Sequence, residues 1–103
     1  MKQLLSILAA FSMLGVSAVY SADKVTIQLK WVTQAQFAGY YVAKDKGFYA
    51  DEDLDVTVKP GGPDIAPAQV LAGGGADVMV DWMPSALAAR EKGLPLVNIA
   101  QPF

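Results

Sequence analysis

Aromatic, amide, acidic and glycine residues cluster directly after those segments of the sequence that have the composition of β-strands. Aromatic rings stack on planar molecules, amide and carboxyl groups bond to the polar edges of such molecules, and glycine lets backbone N–H groups come close. This combination indicates capture of a small, flat ligand. The residues concerned are Trp31, Gln34, Gln36, Phe37 and Tyr40 after the first segment, Gly61, Gly62 and Asp64 after the second, and Asp81, Trp82 and Ser85 after the third.

The elements that must position these residues alternate between strand and helix patterns. Such alternation predicts right-handed crossovers and an α/β fold with a mostly parallel sheet and flanking helices. The carboxyl ends of parallel strands share one edge of the sheet, so the clustered residues are expected to converge there. The predicted strands are 25–30, 54–59, 76–80 and 96–100, and the predicted helices are 36–46, 65–72 and 84–92.

Local signals refine this prediction. In the first strand, apolar and polar residues alternate, which predicts that the face carrying Thr26 and Gln28 is open to water or only partly covered. Gly47 has the position of a left-handed helix cap. Asp64 is expected to be a helix N-cap, with a ligand contact as the alternative, and Pro67 then falls in the first helical turn.

Purely structural interpretations stay open for the same residues. Trp82 and Phe37 are also suited to a core, Trp31 to packing between layers, and the pair Gly61 and Gly62 to a turn with unusual backbone angles. The acidic residues 51–53 are predicted to be a solvated turn, because adjacent carboxylates in a flexible loop are poorly organised for a metal. We expect no metal site.

Composition restricts the function classes. The 103 residues contain ten acidic and eight basic residues with no basic cluster, which argues against a nucleic-acid partner. There is no histidine, the commonest general base, and no cysteine. Residues 1–22, with Lys2 ahead of an apolar run and small residues at its end, have the pattern of a cleaved signal peptide, with a membrane anchor as the alternative. Export without disulfides favours a bacterial periplasm.

A resemblance to a known family rests on the segment QAQFAGYYVAKDKGFY at residues 34–49, with further similarity at 54–56, 61–64, 75–78 and 90–95. These segments resemble substrate-binding proteins of ABC importers, in the branch related to thiamine-pyrimidine binding and pyrimidine-precursor synthesis. The resemblance implies a type II periplasmic binding fold, in which two lobes close around one ligand and deliver it to an inner-membrane permease. It implies a formylaminopyrimidine-like or hydroxymethylpyrimidine-like ligand.

The same resemblance sets the expected domain organisation. Proteins of that family are much longer, so residues 23–103 are expected to be the N-terminal part of an incomplete first lobe. Because the related synthesis proteins rely on a histidine that is absent from this sequence, we expect a binding protein without enzymatic activity and without a cofactor. A sulfonate-, taurine- or nitrate-binding protein, a pyrimidine-synthesis enzyme and a sensor domain are the alternatives.

Overall fold

Three parallel strands form the centre of the protein in a computed structural model that describes residues 21–103. Strand β1 spans Asp23–Gln28, β2 spans Leu54–Lys59 and β3 spans Val78–Met79, in the spatial order β2-β1-β3. All pairings are parallel; Val25 lies beside Val56, and Ile27 lies beside both Val58 and Val78.

Helical segments follow each of the three strands. They are a 3-10 turn at Ala35–Phe37, then α1 at Ala38–Asp45, α2 at Phe48–Asp51, α3 at Pro67–Ala72 and α4 at Met83–Glu91. The strand-helix alternation therefore produces the predicted α/β fold with a parallel sheet and flanking helices. The single helix predicted over 36–46 forms as a 3-10 turn followed by α1, and it ends at Gly47 in the expected left-handed conformation, with φ of 79°.

The core lies between the sheet and the segment of the 3-10 turn, α1 and α2. Ile27 and Val56 come from β1 and β2, Leu29 directly follows β1, and Phe37 comes from the 3-10 turn. The ammonium of Lys44 donates to the carbonyl oxygen of Val56, which joins α1 to β2. The alternation of apolar residues in the first strand thus correctly identified its buried face.

The opposite face of β1 differs from the prediction. Gln28 is only 1% exposed, so the polar face is closed at this position and not open to water. The reason is that α3 packs on this side of β1, and the side-chain N–H groups of Gln28 find two carbonyl partners inside. A buried amide is tolerated when its hydrogen bonds are made.

The start of α3 also corrects an expectation. The helix begins at Pro67 with Ala66 as its N-cap, and no side chain caps it, so Asp64 is not the N-cap. Proline disfavours a helical conformation at the preceding residue, so the helix starts at Pro67 itself.

The bounds of the first and third strands differ from the predictions, and the predicted fourth strand does not form. The first strand begins two residues earlier than predicted, and β3 is shorter than the predicted 76–80. The predicted fourth strand at 96–100 has no regular structure, and Val97 and Ile99 are 82% and 75% exposed. Apolar composition alone did not produce a strand there; the N–H of Leu96 bonds to the carbonyl of Leu94 and not to a neighbouring strand.

The predicted signal peptide at 1–22 falls almost entirely outside the described residues. Within residues 21–103, no helix has the length and apolar character needed to cross a membrane.

Candidate functional site

The two tryptophans of the chain lie together at the carboxyl edge of the sheet. Trp31 follows β1 and Trp82 precedes α4; their ring centroids are 6.4 Å apart, with planes inclined by 40°. The rings are not buried, because Trp31 is 40% exposed and Trp82 is 49% exposed. Two tilted, half-exposed indoles offer apolar faces to a planar molecule.

The turn after β2 contacts the same edge. Gly61 packs so closely on the segment after β1 that a Cβ atom placed on it would lie 2.5 Å from the carbonyl oxygen of Trp31 and 2.6 Å from that of Leu29. Only glycine fits there. Gly62 has more room, since its nearest neighbour is the side chain of Ile65 at 3.8 Å. The ends of three strands therefore meet at one edge, as the parallel topology predicted.

The carboxylate of Asp81 lies at the base of this edge. Its Oδ1 atom accepts bonds from the backbone N–H of Trp82 at 2.8 Å and from the hydroxyl of Ser85 at 2.6 Å. The Lys30 ammonium is 3.0 Å from the same atom, and the Asp81 side chain is only 4% exposed. These bonds of the Oδ1 atom connect Asp81 to protein groups around the start of α4, whereas its predicted contact with a ligand stays a prediction.

Lys30 is the residue that the sequence reasoning missed. Its ammonium bonds to Asp81 and lies 5.0 Å from the centroid of the Trp82 ring, so it joins the end of β1 to the start of α4. The signal that would have found it is its place at the end of the first strand, directly before Trp31. We use the term strand-end rim for Lys30, Trp31, Gly61, Asp81, Trp82 and Ser85.

The other predicted ligand residues lie elsewhere or make other contacts. Phe37 is 1% exposed and packs edge-to-face on Phe103, with centroids 6.2 Å apart, so the geometry gives it a core role. Tyr40 packs against the core with part of its surface exposed, and burial together with nearby Tyr49 raises its pKa. Gln34, Gln36 and Asp64 are exposed with no side-chain hydrogen bond among those described.

Two concave regions lie near these elements. One, of about 300 Å³, lies between α3 and α4 and is lined by the Lys30–Asp81 pair, Ser85 and Lys92, together with alanine residues from both sides of the cavity. A broader depression of about 710 Å³ on α1, at Tyr41 and Val42, is open surface away from the rim. Among residues 21–103 no group of three or more acidic, cysteine or histidine side chains is arranged to hold a metal.

Comparison with known proteins assigns the family. Residues 34–103 match the family model described as NMT1/THI5 like. The chain belongs to the NMT1/THI5-like family. The match begins at Gln34 and includes the 3-10 turn, α1 and every later element, so it covers the turn with Gly61 and the segment from Asp81 to Ser85. The resemblance drawn from the sequence segments is thereby confirmed.

Relatives of this NMT1/THI5-like chain include a protein named for ligand binding and proteins named for biosynthesis. A formylaminopyrimidine-binding protein of Halalkalibacterium halodurans is 34% identical over 79 residues, which are 76% of this chain and 24% of the relative. A putative thiamine biosynthesis protein of Haemophilus influenzae is 30% identical, over 78% of this chain and 26% of the relative. A 4-amino-5-hydroxymethyl-2-methylpyrimidine phosphate synthase of Candida albicans is also 30% identical, over 81% and 26%.

The chain spans about a quarter of the length of these curated relatives. No solved structure matches it significantly. The named synthases overturn one expectation. The absence of histidine led us to expect a protein without enzymatic activity, and that expectation is wrong, because the NMT1/THI5-like relatives include proteins named as enzymes.

Proposed function

We propose that this chain contributes part of the binding site for a thiamine-pyrimidine precursor, a formylaminopyrimidine or a hydroxymethylpyrimidine. The observation that carries the proposal is the pair of half-exposed indoles, 6.4 Å apart, above the Lys30–Asp81 ion pair. The names of the relatives supply the ligand class, since one binds formylaminopyrimidine and another makes a hydroxymethylpyrimidine phosphate.

The chemistry of the strand-end rim suits such a ligand. A pyrimidine ring is flat and has ring nitrogens that accept hydrogen bonds along its edge. An aromatic pair contributes about 0.5–1.5 kcal/mol beyond the burial of area. The Lys30 ammonium, held by Asp81 and 16% exposed in its side chain, is placed to donate to an edge acceptor. Stacking then provides affinity, and the cation provides orientation.

We further propose that the full-length protein is the solute-binding component of an ABC importer. It captures the pyrimidine precursor in the periplasm and delivers it to an inner-membrane permease. The support consists of the signal-peptide pattern at residues 1–22 and the relative that is named as a binding protein. Cell fractionation tests the location: the proposal requires the protein in the periplasmic fraction, and recovery in the cytoplasm contradicts it.

Pyrimidine synthesis is the second candidate. The synthases that match over 81% of this chain favour it. The two candidates differ in a single measurement, because an importer component forms no new molecule, whereas a synthase forms a pyrimidine phosphate from precursors that supply both the ring and the phosphate. Incubation of the full-length protein with a protein-free cell extract as the source of precursors, followed by chromatography of the small molecules, distinguishes them. A pyrimidine phosphate that appears only in the presence of the protein supports synthesis.

Calorimetric titration of the full-length protein tests the binding proposal. Formylaminopyrimidine and 4-amino-5-hydroxymethyl-2-methylpyrimidine are the probes, with taurine and nitrate as competing candidates. Trp82→Ala is expected to weaken pyrimidine binding by at least about tenfold, because it removes one stacking face. Phe48→Ala is the matched control, since Phe48 is an exposed aromatic residue (56%) on α2 outside the strand-end rim. Binding of taurine or nitrate without pyrimidine binding contradicts the proposal.

A further inference from the structure

The backbone of Trp31 is in a conformation that bulky residues rarely adopt. Its φ angle is 59°, in the left-handed region. Within residues 21–103, Asp53 is the other non-glycine residue with positive φ, but aspartate tolerates this region better than tryptophan does. A strained residue persists only where surrounding contacts enforce its conformation, and such residues concentrate at functional sites. The contacts that enforce Trp31 are therefore of functional interest.

One of these contacts is a backbone contact. The N and O atoms of Trp31 would both lie within 2.7 Å of a Cβ on Gly61, so this glycine leaves no free space beside the Trp31 backbone. The turn carrying Gly61 must itself be held against β1 for this contact to constrain Trp31. The bond from the N–H of Leu29 to the carbonyl of Lys59 extends the β1–β2 ladder toward the turn but ends before Pro60.

The side chain of Gln28 provides the next connection. Its Nε2 atom donates to the carbonyl oxygen of Pro60 at 3.0 Å and to that of Leu29 at 3.0 Å. The side chain is 1% exposed, so no water competes for these two bonds. A primary amide has two N–H donors, and here they bond to two carbonyls on neighbouring segments. Gln28 thus fastens the turn before Gly61 to the end of β1.

We propose that Gln28 is a positioning residue for the binding site: it fixes the Pro60–Gly61 turn on β1, and this turn holds Trp31 in its left-handed conformation with its ring beside Trp82. Gln28 contacts no ligand in this mechanism. The effect on ligand affinity rests on the proposed pyrimidine-binding function, whereas the effect on the placement of the indole does not. Trp31 and Trp82 are the residues whose mutual geometry Gln28 controls.

Circular dichroism measures this geometry directly. Two indoles at 6.4 Å couple electronically and give a paired positive and negative band, which is assigned by subtracting the spectrum of Trp31→Phe. In the full-length protein, Gln28→Met retains the volume of the side chain but removes both N–H donors. It is expected to reduce the paired band to less than half. Ile27→Val is the control, because it removes a buried methyl(ene) group from the adjacent residue without touching the turn.

A second pair of variants tests the contact between the Gly61 turn and the backbone of Trp31. Gly61→Ala is expected to reduce the paired band as Gln28→Met does, whereas Gly62→Ala, which meets only the Ile65 side chain at 3.8 Å, is expected to preserve it. This pair gives a result even if Gln28→Met does not fold. The proposal is overturned if Gln28→Met lowers the melting temperature but leaves the band unchanged, as a purely structural residue would, or if Gly61→Ala leaves the band unchanged.

Titration with formylaminopyrimidine completes the test. Gln28→Met is expected to raise the dissociation constant about tenfold, while Ile27→Val changes it less than about twofold. If the wild-type protein binds no pyrimidine, the proposed function fails, and the paired band still decides the positioning role. If the band falls in Gln28→Met but the dissociation constant does not rise, the link between Trp31 placement and affinity is refuted.

Discussion

Within residues 21–103, the aromatic side chains at two regions have different surroundings. At the strand-end rim, Trp31 and Trp82 are half-exposed beside an ion pair. Around α1 and α2, Phe37 is fully buried, and Tyr40 and Tyr49 pack against the apolar core. The first region contains a strained backbone and a glycine that tolerates no side chain, whereas the second has ordinary hydrophobic packing.

The comparison separates stability from recognition. Removal of apolar area from water stabilises a fold in proportion to the area buried, so the core aromatic residues contribute to the free energy of folding. The half-exposed indoles leave much of their apolar surface in water, where a ligand can cover it. We therefore expect substitutions in the two regions to separate into effects on unfolding and effects on binding.

Phe37→Ala is expected to have the largest effect. It removes a ring that is 1% exposed and packed in the core, which costs about 4 kcal/mol in the free energy of unfolding. Urea denaturation measures this change. Phe48→Ala is the matched control on α2, and a change of about 0.5 kcal/mol or less is expected because Phe48 is exposed. Equal losses for the two variants would contradict the assignment of Phe37 to the core.

Gly61→Ala is expected to come next. A methyl group would meet backbone atoms of Leu29 and Trp31 at 2.5–2.7 Å, and backbone cannot move aside as a flexible side chain can. We expect a loss of about 2 kcal/mol in unfolding free energy, together with weaker pyrimidine binding. Gly62→Ala is expected to be nearly neutral. A neutral Gly61→Ala variant would show that the rim is not built on this close approach.

Substitution of Trp31 itself provides a smaller and unusual effect. At most positions alanine is the more stabilising replacement, but the φ angle of 59° at Trp31 favours glycine. We expect Trp31→Gly to be more stable than Trp31→Ala by about 1 kcal/mol, although both lose the ring and bind pyrimidine weakly. Denaturation of both variants measures the difference, and the reverse order would refute the strained conformation.

The smallest expected effect is the pH dependence of stability that comes from Tyr40 and Tyr49. Burial raises the pKa of Tyr40 and of Tyr49 above the ordinary value of 10.0, and the nearby Tyr49 raises the pKa of Tyr40 further. The folded state therefore favours the neutral form of both tyrosines. Their contribution to stability is fully present below about pH 10 and is lost as the pH rises through the folded-state pKa. The unfolding free energy, measured from about pH 8 to about pH 11, is expected to fall at the upper end of this range. The fall is expected to be smaller in the double variant Tyr40→Phe, Tyr49→Phe, which cannot ionise at these positions.

Short-range sequence patterns predicted the alternating strands and helices well. The alternation in the predicted first strand separated an apolar face from the face of Thr26 and Gln28, and Ile27 and Leu29 of the apolar face lie in the core. The strand-helix succession predicted parallel pairing, from which the meeting of Trp31, Gly61 and Trp82 follows. Local patterns failed where a distant segment decides the environment. Gln28 has the sequence context of a solvated residue but is covered by α3 and bonded to Pro60, thirty-two positions away. Residues 96–100 have strand composition but no strand bonded to them.

The candidate site shows the same contrast between what local sequence patterns predict and what distant contacts decide. Residue types at strand ends predicted which positions gather, but not what they do once gathered. Asp81 was expected to meet a ligand, yet Lys30 and Ser85 occupy its Oδ1 atom, and Lys30 itself gave no signal beyond its position. Side-chain partners depend on distances between separate elements, which composition does not contain.

The sequence by itself determined the order of elements, the parallel sheet and the edge at which the functional side chains collect, because periodicity and chain topology are properties of neighbouring residues. Only the tertiary structure decided that Gln28 is buried, that Asp81 is paired and that Trp31 is held at positive φ. These outcomes depend on contacts across the fold, where burial and hydrogen bonding outweigh local preference.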